Sequence, residues 1–441
     1  MNKFIFLILL ISLFLFSGGC WNYNSLDDLG IVAGVGIDLA PDPEKVLLTI
    51  QVIKPGEVKS GGGGGGSYSG DQGQTRPVVN IESVGTTVFE AIRDAVTKFS
   101  RKLFWPHNQV VIIGKDAAAK GVRSYIDLFI RDAEPRPTAF VLVTPGKAGD
   151  LIKAQGIMEK IPTLEIGEMI QIQSATSEIG SFTVHDFTNQ LISKTAAPLG
   201  TQIQLDEANR YVLAGTAIFK DDKLVDFIGK KETRGLLWVT NKVRSGIIVV
   251  DTPGGKSKTG LELIRSQSKI NTKIKGDNVL IKVKVNVQSN VGDTSGELDL
   301  SKPETLKSLA RRETAAIRNE IEAALRKAKE MNADIFGFGE AVHRTHPKVW
   351  KELEPRWDKI FPTLKVDLTV EANIGRVGLI QKPIKAMIER KLTLATIGKR
   401  ENNRNAIGLF IGWVYLWLHG DFNSGEGRRP GCLDRYHHWD G

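Results

Sequence analysis

Residues 279–291 read VLIKVKVNVQSNV, and residues 301–332 read SKPETLKSLARRETAAIRNEIEAALRKAKEMN. In the first stretch Ile281, Val283, Val285 and Val287 alternate with Lys282, Lys284, Asn286 and Gln288. That period of two belongs to a β-strand with one face in a core and the other in water. In the second, Leu306, Leu309, Ile317, Ile321, Leu325, Ala328 and Met331 recur at helical spacing. Ser301-x-x-Glu304 has the form of a capping box and Pro303 sits near the first turn. The helix over 303–331 should therefore run for about 28 residues, or roughly 42 Å. A half-buried strand followed by a long one-sided helix predicts an α+β fold, with mixed sheets against which helices pack.

Outward from this pair, Tyr211–Phe219, Lys223–Ile228 and Gly246–Val250 read as strands upstream, and Leu364, Val366, Leu368 and Val370 alternate as a closing strand downstream. They define a C-terminal α+β region over 209–383, read as two subdomains. A polar, small-residue stretch around Ser193–Asn209, containing Ala196-Ala197-Pro198-Leu199-Gly200, is the expected boundary. The N-terminal region, 20–195, alternates strands and helices. Its strands are Leu29–Asp38, a stretch in which Leu48, Ile50 and Val52 alternate with Thr49 and Gln51, then Val78–Ser83, Val110–Ile113 and Ala139–Thr144. The Leu48–Val52 alternation predicts one buried face and one wet face. Helices are expected over Thr86–Leu103, Asp116–Gly121, Tyr125–Arg131 and Ala148–Lys160. Residues 58–77, with successive glycines from Gly61 to Gly66, read as a flexible surface loop inside this region.

Both ends of the chain differ from its middle. The N-terminus has Lys3, an apolar run from Phe4 to Phe16 broken only by Ser12, then Ser17-Gly18-Gly19-Cys20. A positive start, an apolar middle and small residues at the cleavage point make residues 1–19 an export signal. The apolar run is short of the roughly 20 residues that span a bilayer. A cysteine immediately after the small residues marks a lipoprotein signal, with Cys20 as the lipidation site and new N-terminus. Ser17 stands where such signals more often carry leucine. Acyl chains, at about 0.8 kcal/mol per buried CH₂, would hold the protein on a membrane. Residues 384–441 form an atypical basic and apolar tail. Its apolar stretch Ala406–Leu418 holds Trp413, Tyr415 and Trp417. Two readings fit this tail: an interfacial segment, or a read-through or frameshifted end.

Bulk composition narrows the function. The 441 residues are 41% apolar and 25% charged, which suits several folded domains. A net charge of +9 suits an anionic membrane surface or nucleic acid, and an export signal favours the membrane. Two cysteines, Cys20 and Cys432, leave neither a disulfide framework nor a CxxC site. Gly34-x-Gly36 resembles the start of a dinucleotide fingerprint, but Asp38, Ala40 and Pro41 follow in place of a helix. Gly254-Gly255-Lys256-Ser257 fails as a phosphate loop, because Val250 stands where a glycine is required. His343-x-x-His346 lacks a nearby third ligand and reads as a turn after the long helix. Asp127, Arg131, Asp132, Glu134 and Arg136 form a charge-dense patch that a helix ion pair largely accounts for. A partner-binding role is its functional alternative. No catalytic, cofactor-binding or metal-binding residues are assigned, and the chain is expected not to be an enzyme.

Several stretches, in order along the chain, carry a resemblance. They are Cys20-Trp21 with LGIVAGVGID at 29–38, GTTVFEA at 85–91, RKLFWPH at 101–107 leading into 110–114, Ile126-Asp127 to Arg131-Asp132 with Arg136, ADIFGFG at 333–339, and Trp357. Together they resemble the Ger(x)C family, the C subunits of nutrient germinant receptors in endospore-forming bacteria, over residues 20 to 383. The resemblance implies a three-domain α+β lipoprotein on the outer face of the spore inner membrane. It also implies an integral-membrane A subunit and a transporter-like B subunit as partners, a requirement in nutrient-triggered germination, and no cofactor. A solute-binding lipoprotein feeding a transporter is the alternative, and would show one deep cleft between two lobes. An exported hydrolase would need convergent acid, base or nucleophile groups.

Overall fold

The computed structural model describes residues 28–54, 77–255, 257–276, 278–295 and 298–376. The leader, Cys20, nearly all of the glycine-rich loop and the tail lie outside these residues. The first sheet contains β1 Leu29–Leu39, β2 Val46–Ile53, β3 Val78–Gly85, β4 Lys102–Phe104, β5 Val110–Gly114, β6 Phe140–Thr144, β7 Leu199–Leu205, β8 Tyr211–Lys220 and β9 Lys223–Gly229. Their order is β3-β2-β1-β5-β6-β7-β8-β9, with β4 also on β1. The second sheet is β10 Ile247–Asp251, β11 Lys258–Lys275, β12 Asn278–Thr294 and β13 Lys365–Arg376, in that order. Helices α1 Val88–Thr97, α2 Lys115–Lys120, α3 Arg123–Arg131, α4 Ala148–Lys153, α5 Pro162–Ile172 and α6 Val184–Ile192 fall among the strands of the first sheet. Then come α7 Lys230–Val239, α8 Pro303–Glu330, α9 Phe338–Thr345, α10 Pro347–Leu353 and α11 Trp357–Ile360. The fold is α+β with two mixed sheets, as the alternation of patterns predicts. No helix among the described residues is long and apolar enough to cross a membrane.

The centre of the first sheet is parallel. β1 pairs in parallel with β4 and β5, and β5–β6 and β6–β7 are also parallel, while hairpins flank them on both sides. Strands of this kind need cover on both faces. β1 obtains it by having no side chain where helices approach. A Cβ on Gly34 would come within 2.4 Å of Thr163 on α5, and one on Gly36 within 3.1 Å of the Ala148 backbone on α4. The Gly34-x-Gly36 pair thus serves close packing. α4 and α5 also explain a departure from expectation in β2. Thr49 and Gln51, read as its wet face, are fully buried. Gln51 donates to the Ile152 carbonyl at 2.7 Å and accepts from the Thr163 N–H and hydroxyl at 3.1 and 2.9 Å. A buried amide used on both ends joins two helices to a strand. The polar stretch 193–209 contains β7 and the turn into β8, so the first sheet continues through it.

In the second sheet the expected alternation is met along β12. Ile281, Val283, Val285 and Val287 are buried in one cluster with Leu309, Ile317, Ile321, Ala324 and Ala328 of α8. α8 spans 28 residues from Pro303 at its first turn, close to the predicted length. The capping box does not form. Lys302 occupies the N-cap without a side-chain bond, and Ser301 turns back to Asp299. Local competition of this kind is common for serine. Two other boundaries differ. The helix expected over Thr86–Leu103 stops at Thr97 and resumes as strand β4. The helix expected to run to Lys160 ends at Lys153, and Pro162 opens α5 instead.

One carboxyl on α8 sits in this core. Glu313 is fully buried; Ser289 of β12 donates to its Oε1, and Oε2 has no partner among the described residues. Burial pushes its pKa up to about 7, against the Ser289 bond. The folded state therefore holds this proton more tightly than the unfolded chain, whose carboxyl titrates near 4.5. Stability from this group is complete below that value and is lost as pH rises towards about 7. Glu313→Gln should remove that slope and stabilise the protein above neutrality, by on the order of 2 kcal/mol. Thermal melts of both proteins between pH 4 and pH 8 check this. Parallel pH profiles would contradict it.

Candidate functional site

The stretch Ala333–Gly339, ADIFGFG, turns the chain from α8 into α9. Its one carboxylate, Asp334, is only 4% exposed. Oδ1 accepts from the Phe338 N–H at 3.0 Å, and Oδ2 from the Gly339 N–H at 2.7 Å and from Trp357 Nε1 at 3.3 Å. Phe338 and Gly339 open α9, so Asp334 satisfies two otherwise free donors at a helix start. Burial still dominates the carboxyl, whose pKa is pushed up to about 6 despite these bonds. Two glycines permit the turn. Gly337 has φ +69°, the left-handed region, and a Cβ on Gly339 would fall 2.5 Å from Thr195 Oγ1. Aromatic rings surround it: Phe336 stacks on Phe338 with centroids 5.0 Å apart, and Trp350 meets Trp357 edge-on at 5.2 Å.

This turn joins the two halves of the described chain. The Asp334 carbonyl accepts from the Ala197 N–H at 3.1 Å, and Ala196 bridges to Asp334 as a parallel β-pair. Ser193 donates to Glu340 at 2.6 Å, Lys194 pairs with Glu354 at 3.2 Å, and Lys220 pairs with Asp358 at 3.3 Å. Between these ties lies a groove of about 700 Å³, walled by α3, α6, residues 193–197, the β8–β9 turn, residues 332–334 and α11. Three oxygens in its lining, Thr188 Oγ1, Thr195 Oγ1 and Asn332 Oδ1, are buried and have no hydrogen-bond partner among the described residues. Arg123 and Asp127 put both signs of charge on its rim. The three oxygens are shut off from solvent, so the polar groups that the groove presents to a partner are the charges of its rim.

The residues singled out in the sequence are dispersed. Cys20 lies outside the described residues. Asp127 is on the groove wall, its carboxyl held below the usual range by Arg131, which grips it through Nε and Nη2 at 2.9 Å each. Of the same patch, Glu134 pairs instead with Lys102 at 3.5 Å. His343 stacks on Trp350, centroids 5.8 Å apart, a packing role. Gly254 and Gly255, at φ +98° and +72°, turn the chain between β10 and β11. No group of three or more His, Cys, Asp or Glu among the described residues could hold a metal ion. Asp334 and the three unpartnered oxygens are not legible as a site in the sequence. The signal there is the ADIFGFG stretch itself, which carries part of the family resemblance without marking its carboxylate as a site.

Comparison with known proteins gives two family matches. One described as "Spore germination protein N-terminal domain" covers residues 22–205, and one described as "Spore germination B3/GerAC like, C-terminal" covers residues 214–378. Spore germination protein KC of Bacillus subtilis (strain 168) is 30% identical over 389 residues, covering 83% of this chain and 94% of that protein. Spore germination protein B3 of the same organism is 22% identical, over 82% of this chain and 95% of that protein. A crystal structure of the GerBC protein aligns with 79% of this chain and 99% of that one, at 18% identity and a TM-score of 0.49.

Proposed function

The chain belongs to the B3/GerAC-like family of spore germination proteins, and from that premise we propose that it is the lipid-anchored subunit of a nutrient germinant receptor. In this reading residues 1–19 are an export leader, and Cys20 is acylated and becomes the mature N-terminus. The folded part then stands on the outer face of the spore inner membrane. It works by contact with integral-membrane A and B subunits, not by catalysis. The observation that carries the reading is a conjunction. A chain related to a spore germination protein over 83% of its length opens with an apolar leader ending in Ser17-Gly18-Gly19-Cys20. Anchoring restricts the protein to two dimensions, and so raises its effective concentration beside membrane partners. The groove fits the same reading, because its rim carries charges of both signs, which suit a protein partner.

A Cys20→Ala strain tests the proposal. Its spores should carry the protein outside the membrane fraction and should germinate in nutrient as slowly as spores lacking the gene. Germination on a stimulus that bypasses receptors should be unchanged. Normal membrane recovery and normal nutrient germination in that strain would remove the anchor from the account. A solute-binding role would instead require a nutrient to bind the purified chain.

A further inference from the structure

Among the described residues the second sheet is covered on one side only. α8 lies on the face that carries Ile281, Val283, Val285 and Val287, and no described element covers the opposite face along most of β11 and β12. Register places Arg265, Lys269, Lys273 and Lys275 of β11 on that bare face, opposite Gln288, Lys284, Leu280 and Asn278 of β12. All four cations are exposed, and none has an ion-pair partner among the described residues. Lys269 stands directly across from Lys284, a like-charge pair that costs stability in a sheet. Lys284 is relieved by Glu371 at 3.0 Å, and Lys269 is not. Alternate residues on a strand are about 6.8 Å apart, so the cationic row from Arg265 to Lys275 is roughly 34 Å long.

The same face ends in exposed apolar side chains. On the edge strand β10, Ile247 and Val249 alternate with buried Ile248 and Val250 and are 60% and 61% exposed. Ile247 pairs with Glu262, which pairs with Asn290, on the outward parity of β12. An extended row of cations without ion-pair partners among the described residues, beside two exposed aliphatic residues, complements an anionic interface that also has an apolar layer. We infer that this open face rests on a bilayer containing anionic phospholipid. The lysines meet the headgroups, and Ile247 and Val249 enter the boundary with the acyl chains. A nucleic acid fits less well: no aromatic ring among the described residues of this face offers a single-stranded base a stacking surface, and a duplex backbone offers no apolar layer to Ile247 and Val249. The chain's own tail is also a poor occupant, since residues 382–441 are themselves net basic.

This inference rests on the anchored reading in one respect: a chain held beside a bilayer meets such a surface continuously. The test uses the full mature protein mixed with vesicles of phosphatidylcholine alone or with added phosphatidylglycerol. Flotation with neutral vesicles reports the anchor. Labelling of lysines by a membrane-impermeant amine reagent, read by mass spectrometry, reports the face. On anionic vesicles Lys269, Lys273 and Lys275 should label about fivefold more slowly than on neutral ones, and high salt should abolish the difference. Lys98 and Lys153, on the first half of the chain, should label equally on both. In Lys269→Glu/Lys273→Glu, the protection of Lys275 should be lost while flotation is kept. Equal labelling on the two vesicle types overturns the inference and leaves the anchor standing. Protection by a short DNA duplex in place of vesicles overturns it in favour of a nucleic acid. Flotation with anionic vesicles alone removes the anchor and keeps the face.

Discussion

Replacing Asp334 by alanine should lower the stability of the protein by on the order of 3–5 kcal/mol, with a fall of several degrees in thermal midpoint. The carboxylate receives the Phe338 and Gly339 N–H groups and Trp357 Nε1, all buried. Truncation leaves three donors without an acceptor, and each costs about 1–3 kcal/mol. Part of that loss is offset, because burial has already pushed the carboxyl up to about 6 and the folded protein is relieved of a strained anion above that pH. Asp334→Asn keeps one acceptor for the helix start and should lie between the two. The Ala197 N–H bond to the Asp334 carbonyl is main chain and survives both changes. The variants should therefore loosen the α9–α11 aromatic cluster before they part the two halves. Quenching of tryptophan fluorescence by acrylamide should rise in Asp334→Ala under native conditions. An unchanged midpoint with unchanged quenching would mean that the ADIFGFG turn is held by its rings alone.

The second large effect belongs to the contact between α7 and α8. Glu320 is 7% exposed and takes both Nε and Nη2 of Arg234, with Trp238 Nε1 at 2.9 Å on the same carboxylate. The helices come this close because position 235 has no side chain: a Cβ on Gly235 would lie 2.1 Å from the Glu320 carbonyl oxygen. Glu320→Ala strands a guanidinium that is 13% exposed and an indole N–H, leaving only Glu178 at 3.4 Å and the Ile247 carbonyl at 3.3 Å. Removing one partner of a buried pair costs about 3–5 kcal/mol. The pair itself is worth far less, since both ions were taken out of water to make it. Arg234→Met/Glu320→Leu should therefore be more stable than Glu320→Ala. A double variant as unstable as the single one, in the same urea melts, would show that shape and not charge governs this contact.

Much of the architecture can be read from the chain because it rests on short-range pattern. β12 and α8 are set by the alternation and the helical spacing over 279–331, and both sit where those periods place them. The burial of Thr49 and Gln51 could not be read this way. Their cover comes from α4 and α5, about a hundred positions away, and the Gln51 amide finds its buried partners on those helices. α7 carries its apolar residues as the block Leu236–Val239, which gives no helical period to detect. The site was less legible than the fold. Asp334 meets its indole partner 23 residues downstream, and the groove oxygens come from α6, residue 195 and the end of α8. Cys20, outside the described residues, is read from sequence alone, and the role proposed for it rests on the leader-like residues before it.

That role is directly measurable. Mass spectrometry of the protein taken from the inner membrane of dormant spores should find a mature N-terminal peptide beginning at Cys20, heavier by a thioether-linked diacylglyceryl group. A mature chain starting elsewhere, or one with an unmodified residue 20 in the soluble fraction, would contradict the account.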